Sequence, residues 1–187
     1  GTGGIAYDSV SGNDGTIYGA QWTTGQVGGA LEFDGVNDYV EVPDDDSLDI
    51  TGDLTIAAWV KLDALADEQF VLAKQPTDTA DAYAIRIYED GGVNFRFKIS
   101  GMEYTSMFTP ASIVTTGSWY HITATYNGSE GIIYVNGQPE GSELASGNLS
   151  TNDAELLIGR EHPGCSNFLN GKIDDVRIYS RRANSGL

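Results

Sequence analysis

The chain has 187 residues, enough for one domain with a full hydrophobic core, so neither a disulfide nor a metal is needed merely to reach stability. Its 27 acidic residues against 10 basic ones give a formal charge of −17, a field that excludes nucleic acid and an anionic membrane surface as partners. Apolar residues make up 40% and fall in short regular runs, which excludes disorder; the single cysteine, Cys165, excludes a disulfide framework and a cysteine-based zinc site.

In chain order, apolar and polar residues alternate with period two, the pattern of half-buried strands. Ala30 to Phe33 runs into Asp34-Gly35, and Tyr39 to Val42 ends at Pro43. Leu54 to Val60 reads as a central strand and Val71 to Ala73 as a short one. Tyr83 to Tyr88 and Val93 to Ile99 form the clearest hairpin; Tyr120 to Tyr126 and Ile132 to Val135 form another through Asn127-Gly128. Leu156 to Gly159 and Lys172 to Tyr179 complete the set. Helix is limited to a turn or two near Ala64 to Glu68. No apolar stretch approaches the ~18 residues that span a membrane. The fold class expected is all-β, a two-sheet antiparallel β-sandwich of the jelly-roll kind, over 1–187 as one domain.

The Tyr83–Ile99 hairpin carries more information. A three-residue loop, Glu89-Asp90-Gly91, sets Ile87 opposite Val93 and Ile85 opposite Phe95, so both apolar rows face the core. The same register gathers Arg86, Tyr88, Asn94, Arg96 and Lys98 on the opposite face. Three of the ten basic residues meet there, in a chain that is otherwise strongly acidic.

An ordered series of phrases runs along nearly the whole chain: Asp8-Ser9-Val10-Ser11-Gly12-Asn13 with Gly15-Thr16, Gly28 to Gly35 with Asp38-Tyr39-Val40, and Thr55 to Lys61. Ser118-Trp119-Tyr120-His121-Ile122, Tyr134-Val135-Asn136-Gly137, Leu157-Ile158-Gly159-Arg160 and Phe168 to Tyr179 follow. Taken together, the series resembles the laminin G-like domains of the concanavalin A-like lectin/glucanase superfamily. The resemblance implies two antiparallel sheets packed face to face, with ligands at a concave face or at the rim loops. It also implies a carbohydrate-binding or adhesive module of a longer secreted protein.

For metal, the resemblance points to calcium at Asp8, Asn13, the Gly15 carbonyl, Asp34 and Asp174, because it places the last strand beside the first. Asp174 shares parity with Val176 and Ile178, so it is expected to point inward, where a cation would offset its burial. The alternative is that Asp174 caps loop amides without metal. The segment from Asp8 departs from the EF-hand pattern, with Gly19 at the twelfth position when Asp8 is counted as the first. Asp44-Asp45-Asp46 reads as a solvated loop rather than a second metal site.

For sugar, aromatic faces that stack and polar groups that meet hydroxyls are sought together. Trp59 and Trp119 are assigned to the core, and Trp22 is open between core and rim. The candidates are Arg86, Tyr88, Asn94, Arg96 and Tyr104, with Phe108 in a segment of uncertain register. His162, beside Glu161 on a rim loop, is the remaining candidate for sugar. The arginines are either a solvated face paired with carboxylates or a ligand face suited to a uronic acid or sulfated sugar. Hydrolases of this fold commonly carry Glu-x-Asp-x-x-Glu on one strand; that spacing is absent, and Asp174 and Asp175 project to opposite faces. His121 is structural by its phrase, and Cys165 is incidental.

The function expected is therefore a non-catalytic, extracellular carbohydrate-binding module with structural calcium, monomeric and tethered to other domains, whose partner is a polysaccharide or glycan and neither nucleic acid nor inserted membrane. A protein-binding adhesive domain is the alternative reading, and a lyase or hydrolase of the same fold comes third.

Overall fold

The computed structural model describes residues 3–77, 82–101 and 104–181. Among them the chain forms β1 (Ile5–Ala6), β2 (Gly15–Tyr18), β3 (Gln21–Thr24), β4 (Gly29–Asp34), β5 (Tyr39–Val42), β6 (Leu54–Leu62) and β7 (Glu68–Lys74). There follow β8 (Tyr83–Tyr88), β9 (Val93–Lys98), β10 (Tyr104–Phe108), β11 (Tyr120–Tyr126), β12 (Glu130–Val135), β13 (Gln138–Leu144), β14 (Leu156–Ile158) and β15 (Asn170–Tyr179). They build an eight-stranded sheet, β1-β2-β5-β14-β7-β8-β9-β10, and a seven-stranded sheet, β13-β12-β11-β6-β15-β4-β3. The pairings between these strands are antiparallel, as expected for a jelly-roll sandwich.

Alternation builds the core. Leu54, Ile56, Ala58, Val60 and Leu62 of β6 are buried on one side of their strand and share a core with Tyr83, Ile85 and Ile87 of β8 and Val93, Phe95 and Phe97 of β9. The sheets meet where the Phe97 ring packs 4.6 Å from the ring of Tyr126. The β8–β9 register is the expected one, with Ile87 opposite Val93 and Ile85 opposite Phe95. Gly91 closes that loop at φ +77°, a conformation L side chains rarely adopt, and the Gly91 amide bonds the Tyr88 carbonyl.

Four expectations are corrected. The helical turn is at Asp46–Leu48, a single 3-10 turn capped by Asp45, and not at Ala64 to Glu68. There the chain instead enters β7, and the Gln69 amide donates to the Ala64 carbonyl. The last strand does not lie beside the first: β15 sits between β6 and β4, while β1 pairs with β2 at the edge of the other sheet. Asp174 is buried but does not face the core, because the register shifts between Asp174 and Arg177 and Asp175 takes φ +51°. Asp174 lies opposite Trp59, which itself faces outward because Ala58 and Val60 face in; Trp59 is therefore not a core residue. Trp119 is likewise only half-buried, whereas Trp22 packs against the core.

Candidate functional site

The five hairpin and strand residues singled out for sugar share one surface, the outer face of the eight-stranded sheet. Pairing of β7, β8, β9 and β10 lays Phe70, Arg86, Asn94 and Phe108 in one cross-strand row. Ala73, Ala84, Arg96 and Ser106 form the next row, and Lys98 faces Tyr104 beyond it. Strand pairing thus resolves the register of the Tyr104–Phe108 segment, which the sequence leaves open.

At the centre of this face is a second, small apolar cluster of Phe70, Ala73 and Ala84, buried although it points away from the main core. Its cover is cationic. The Arg86 guanidinium lies 5.7 Å from the Phe70 ring centre and 5.0 Å from that of Tyr88. Arg86 also donates from Nε to Asn94 Oδ1 at 2.9 Å and from Nη1 to Glu68 Oε2 at 3.1 Å. Asn94, at 0% exposure, donates to Ser106 Oγ and to the Met107 carbonyl. Its amide is fully engaged below the surface, so it orients Arg86 and offers nothing to solvent. Burial raises the Tyr88 phenol above its ordinary value, with Arg86 opposing, so the hydroxyl stays protonated at neutral pH.

The outermost part is aromatic. Phe108 is 54% exposed and its ring centre lies 6.0 Å from that of Tyr88. Arg96 lies 5.1 Å from the centre of the Tyr104 ring, with Lys98 at 5.9 Å from the same ring.

The rim loop is tied to this face. Arg96 Nη2 donates to Gln75 Oε1 at 3.3 Å, Gln75 Nε2 donates to Glu161 Oε1 at 3.1 Å, and Asn167 Nδ2 donates to Glu161 Oε2 at 2.7 Å. His162 is buried next to Glu161, with Nε2 3.2 Å from Cys165 Sγ and Nδ1 2.8 Å from the Pro163 carbonyl. Sequence reasoning missed Gln75, Glu68 and Ser106, whose roles depend on pairings across strands. Cys165, set aside as incidental, stands against His162. A shallow depression lined by Pro76, Asp153, Ala154, Glu155 and Pro163 adjoins the loop. Arg160 covers the Tyr39 and Phe168 rings, and Tyr39 stacks on Tyr18.

The positions expected to share calcium are held in three separate places. Asp8 accepts from Ser11 Oγ and from the amides of Val10, Ser11 and Asn13, and its carboxyl is lowered to about 2, foremost by the Ser11 hydroxyl. Asn13 bonds Ser47, and Gly15 opens β2 beside the same loop. Asp34 caps its own turn through the amides of Val36 and Asn37. Asp174 accepts from the Val27 amide at 2.8 Å and rests against Gly25, where a Cβ would strike it. Asn170 of β15 pairs with Asp34, and four extended residues further, roughly 13 Å, comes Asp174. One ion cannot reach both. Among the described residues, Glu161, His162 and Cys165 alone form a group of three or more His, Cys, Asp or Glu donors converging within 4.8 Å.

Asp44, Asp45 and Asp46 are exposed, as expected of a solvated loop, yet Asp44 also holds a partner from the interior. Lys74, fully buried, sends its ammonium to Asp44 Oδ1 at 2.6 Å and to the carbonyls of Asn152 and Ala154. Those three bonds use all its protons, so Asp49 Oδ1 at 3.2 Å is held by charge rather than by a hydrogen. The seven-stranded sheet places His121 5.1 Å from Trp59, half-buried and lowered in pKa chiefly by that burial.

No helix among the described residues is long and apolar enough to cross a membrane. Residues 34–185 match the family model described as the Concanavalin A-like lectin/glucanases superfamily. Human pentraxin-related protein PTX3 is 30% identical over 90 residues, 46% of this chain, and the chain spans 23% of that relative. The binding domain of Paraclostridial Mosquitocidal Protein 1 superposes with TM-score 0.76 at 18% identity, over 97% of this chain and 49% of that one. Domain 4 of AbnA, a GH43 extracellular arabinanase from Geobacillus stearothermophilus solved in complex with arabinotriose, gives 0.66 at 18% identity, over 91% and 84%. At such identities the structural likeness speaks for the fold.

Proposed function

From the premise that this chain belongs to the concanavalin A-like lectin/glucanases superfamily, we propose that it is a non-catalytic carbohydrate-binding module, and that the outer face of the eight-stranded sheet is its ligand face. One observation carries the reading: the half-buried Tyr88 lies over the Arg86 guanidinium and against the exposed Phe108, beside Arg96 and Tyr104, over a network that holds both arginines. Aromatic faces stack on the C–H faces of sugar rings, and guanidinium groups bond hydroxyls or carboxylates in pairs. The support is preorganisation, since Asn94, Gln75 and the Phe70 cluster hold the face before any ligand arrives.

A neighbour of this fold has been solved with arabinotriose, which supports sugar as the ligand class, and others are binding domains, which support a binding role. The ligand proposed is a polysaccharide, with uronic or sulfated units preferred where the arginines meet it. The module acts outside the cell, holding whatever it is joined to near that polymer and raising the local concentration of substrate. Among the described residues, the large exposed apolar side chains, Tyr7, Val10, Tyr18, Val27, Val36, Phe108 and Leu144, fall mostly on different turns and strands, which gives a protein-adhesive reading little to dock on.

A glycan array carrying neutral, uronic and sulfated polymers tests this. Binding to a defined polymer, lost on Phe108→Ala with the melting temperature unchanged, is the expected result. Binding to no polymer, or binding indifferent to Phe108→Ala, Arg96→Ala and Tyr104→Ala alike, overturns it.

A further inference from the structure

We propose that Glu161, His162 and Cys165 form a binding site for a borderline-soft divalent cation of the zinc class, lying in the rim loop beside the ligand face. This goes beyond the carbohydrate reading and stands without it.

The site begins in the local sequence Glu161-His162-Pro163-Gly164-Cys165. Gly164 takes φ +102°, and the Cys165 amide returns to the His162 carbonyl at 3.3 Å, so the turn brings the two side chains to one side. The result is Sγ 3.2 Å from Nε2, with a Glu161 oxygen in the same group and all donor atoms within 4.8 Å of one another. A tetrahedral ion with M–N near 2.0 Å and M–S near 2.3 Å separates those donors by roughly 3.5 Å, a small opening of the turn.

The donor set selects the metal. Thiolate, imidazole and carboxylate together suit zinc and its neighbours; calcium and magnesium take oxygen alone. The single cysteine excludes a site built on several thiolates, but it has no bearing on a mixed one. Three protein ligands leave a fourth position for water.

The surrounding bonds are those that a metal site needs. His162 Nδ1 lies 2.8 Å from the Pro163 carbonyl, which assigns the proton to Nδ1 and leaves the Nε2 lone pair aimed at Cys165. Each Glu161 oxygen takes one hydrogen bond from a neutral amide, Gln75 or Asn167, keeping lone pairs for an ion. Glu161 and His162 are both buried, so a cation offsets the desolvation of the carboxylate, in a chain whose net charge of −17 concentrates cations. On binding, the Cys165 thiol gives its proton to the solvent and the sulfur forms the metal bond. Through Glu161, Gln75 and Arg96 the ion is joined to the ligand face by two hydrogen bonds.

The test is cobalt titration of the chelator-stripped chain. The expected result is one Co2+ per chain with thiolate-to-cobalt charge-transfer absorption, displaced by Zn2+ and untouched by excess Ca2+. Cys165→Ala abolishes the absorption, His162→Ala weakens uptake by about 100-fold or more, and Asn167→Ala, which only orients Glu161, weakens it by about 10–100-fold. Zn2+ raises the melting temperature of the parent chain and not of Cys165→Ala. Equal melting temperatures of the stripped parent and Cys165→Ser establish that loss of binding is not loss of fold. No cobalt uptake by the parent, or an absorption band that survives Cys165→Ala, overturns the proposal.

Discussion

The two sheets expose outer faces built from similar residue types and organised differently. On the seven-stranded sheet the polar groups close on one another: Lys172 pairs with Glu32 at 2.7 Å, Arg177 with Asp175 at 2.9 Å, and Asp174 with the Val27 amide. On the eight-stranded sheet the arginines lie over aromatic rings and over a buried apolar cluster, with amides wedged beneath them. A cation held on a ring keeps its N–H groups in its own plane, where a sugar oxygen can meet them. The same fold therefore presents one face whose polar groups close on one another and one whose arginines, Arg86 with its Glu68 partner included, are mounted on rings as a platform.

The largest expected difference between the faces is in stability. Phe70→Ala empties the centre of the platform and costs about 3–5 kcal/mol, whereas Trp59→Ala, half-buried on the other face, costs less; urea denaturation of both variants measures it. Equal losses would make the two faces equivalent. Next comes Asn94→Ala, which leaves Arg86 Nε without its acceptor, removes the bonds to Ser106 and Met107, and costs about 1–3 kcal/mol, while Arg177→Ala stays within about 0.5 kcal/mol. Asn94→Ala also weakens glycan binding although the residue is buried; unchanged affinity by calorimetry removes its orienting role. Smaller again is Tyr88→Ala, expected to weaken binding by roughly 2–10-fold, the worth of one aromatic contact of about 0.5–1.5 kcal/mol.

The smallest effect is acid sensitivity at the edge of the platform sheet. Asp8 is lowered to about 2 from 3.8, so its contribution is present above pH 3.8 and lost as pH falls toward 2. Asp8→Asn flattens that part of the stability–pH curve, by little because the carboxylate is mostly solvated. A curve parallel to the parent's between pH 5 and pH 2 contradicts the assignment.

Much of this was legible in the sequence, and the losses have physical causes. The platform's central hairpin follows from alternation plus a Gly-closed loop, which fix register without outside information. The edge strands β1, β3 and β13, and β2 beside β1, escape because they are short or hold few buried apolar residues. Asp174 was assigned to the wrong face because one bulge inverts parity, and Asp175 at positive φ is only a weak signal for it. Asn94 read as a surface amide because its partners, Ser106 and Met107, belong to the neighbouring strand β10. Lys74 lies just past the strand read at Val71 to Ala73, and nothing local shows that Asp44, far off in sequence, is its partner. The calcium positions were carried by a strand adjacency that the chain does not have.

The central claim is that ligand binds the platform face. Backbone and side-chain chemical-shift mapping of the isotope-labelled chain with an array-selected oligosaccharide tests it most directly. The account expects shifts concentrated at Arg86, Tyr88, Arg96, Tyr104 and Phe108, with Trp59 and His121 unmoved. Shifts centred on Trp59 and His121, or none on the platform at saturating ligand, contradict it.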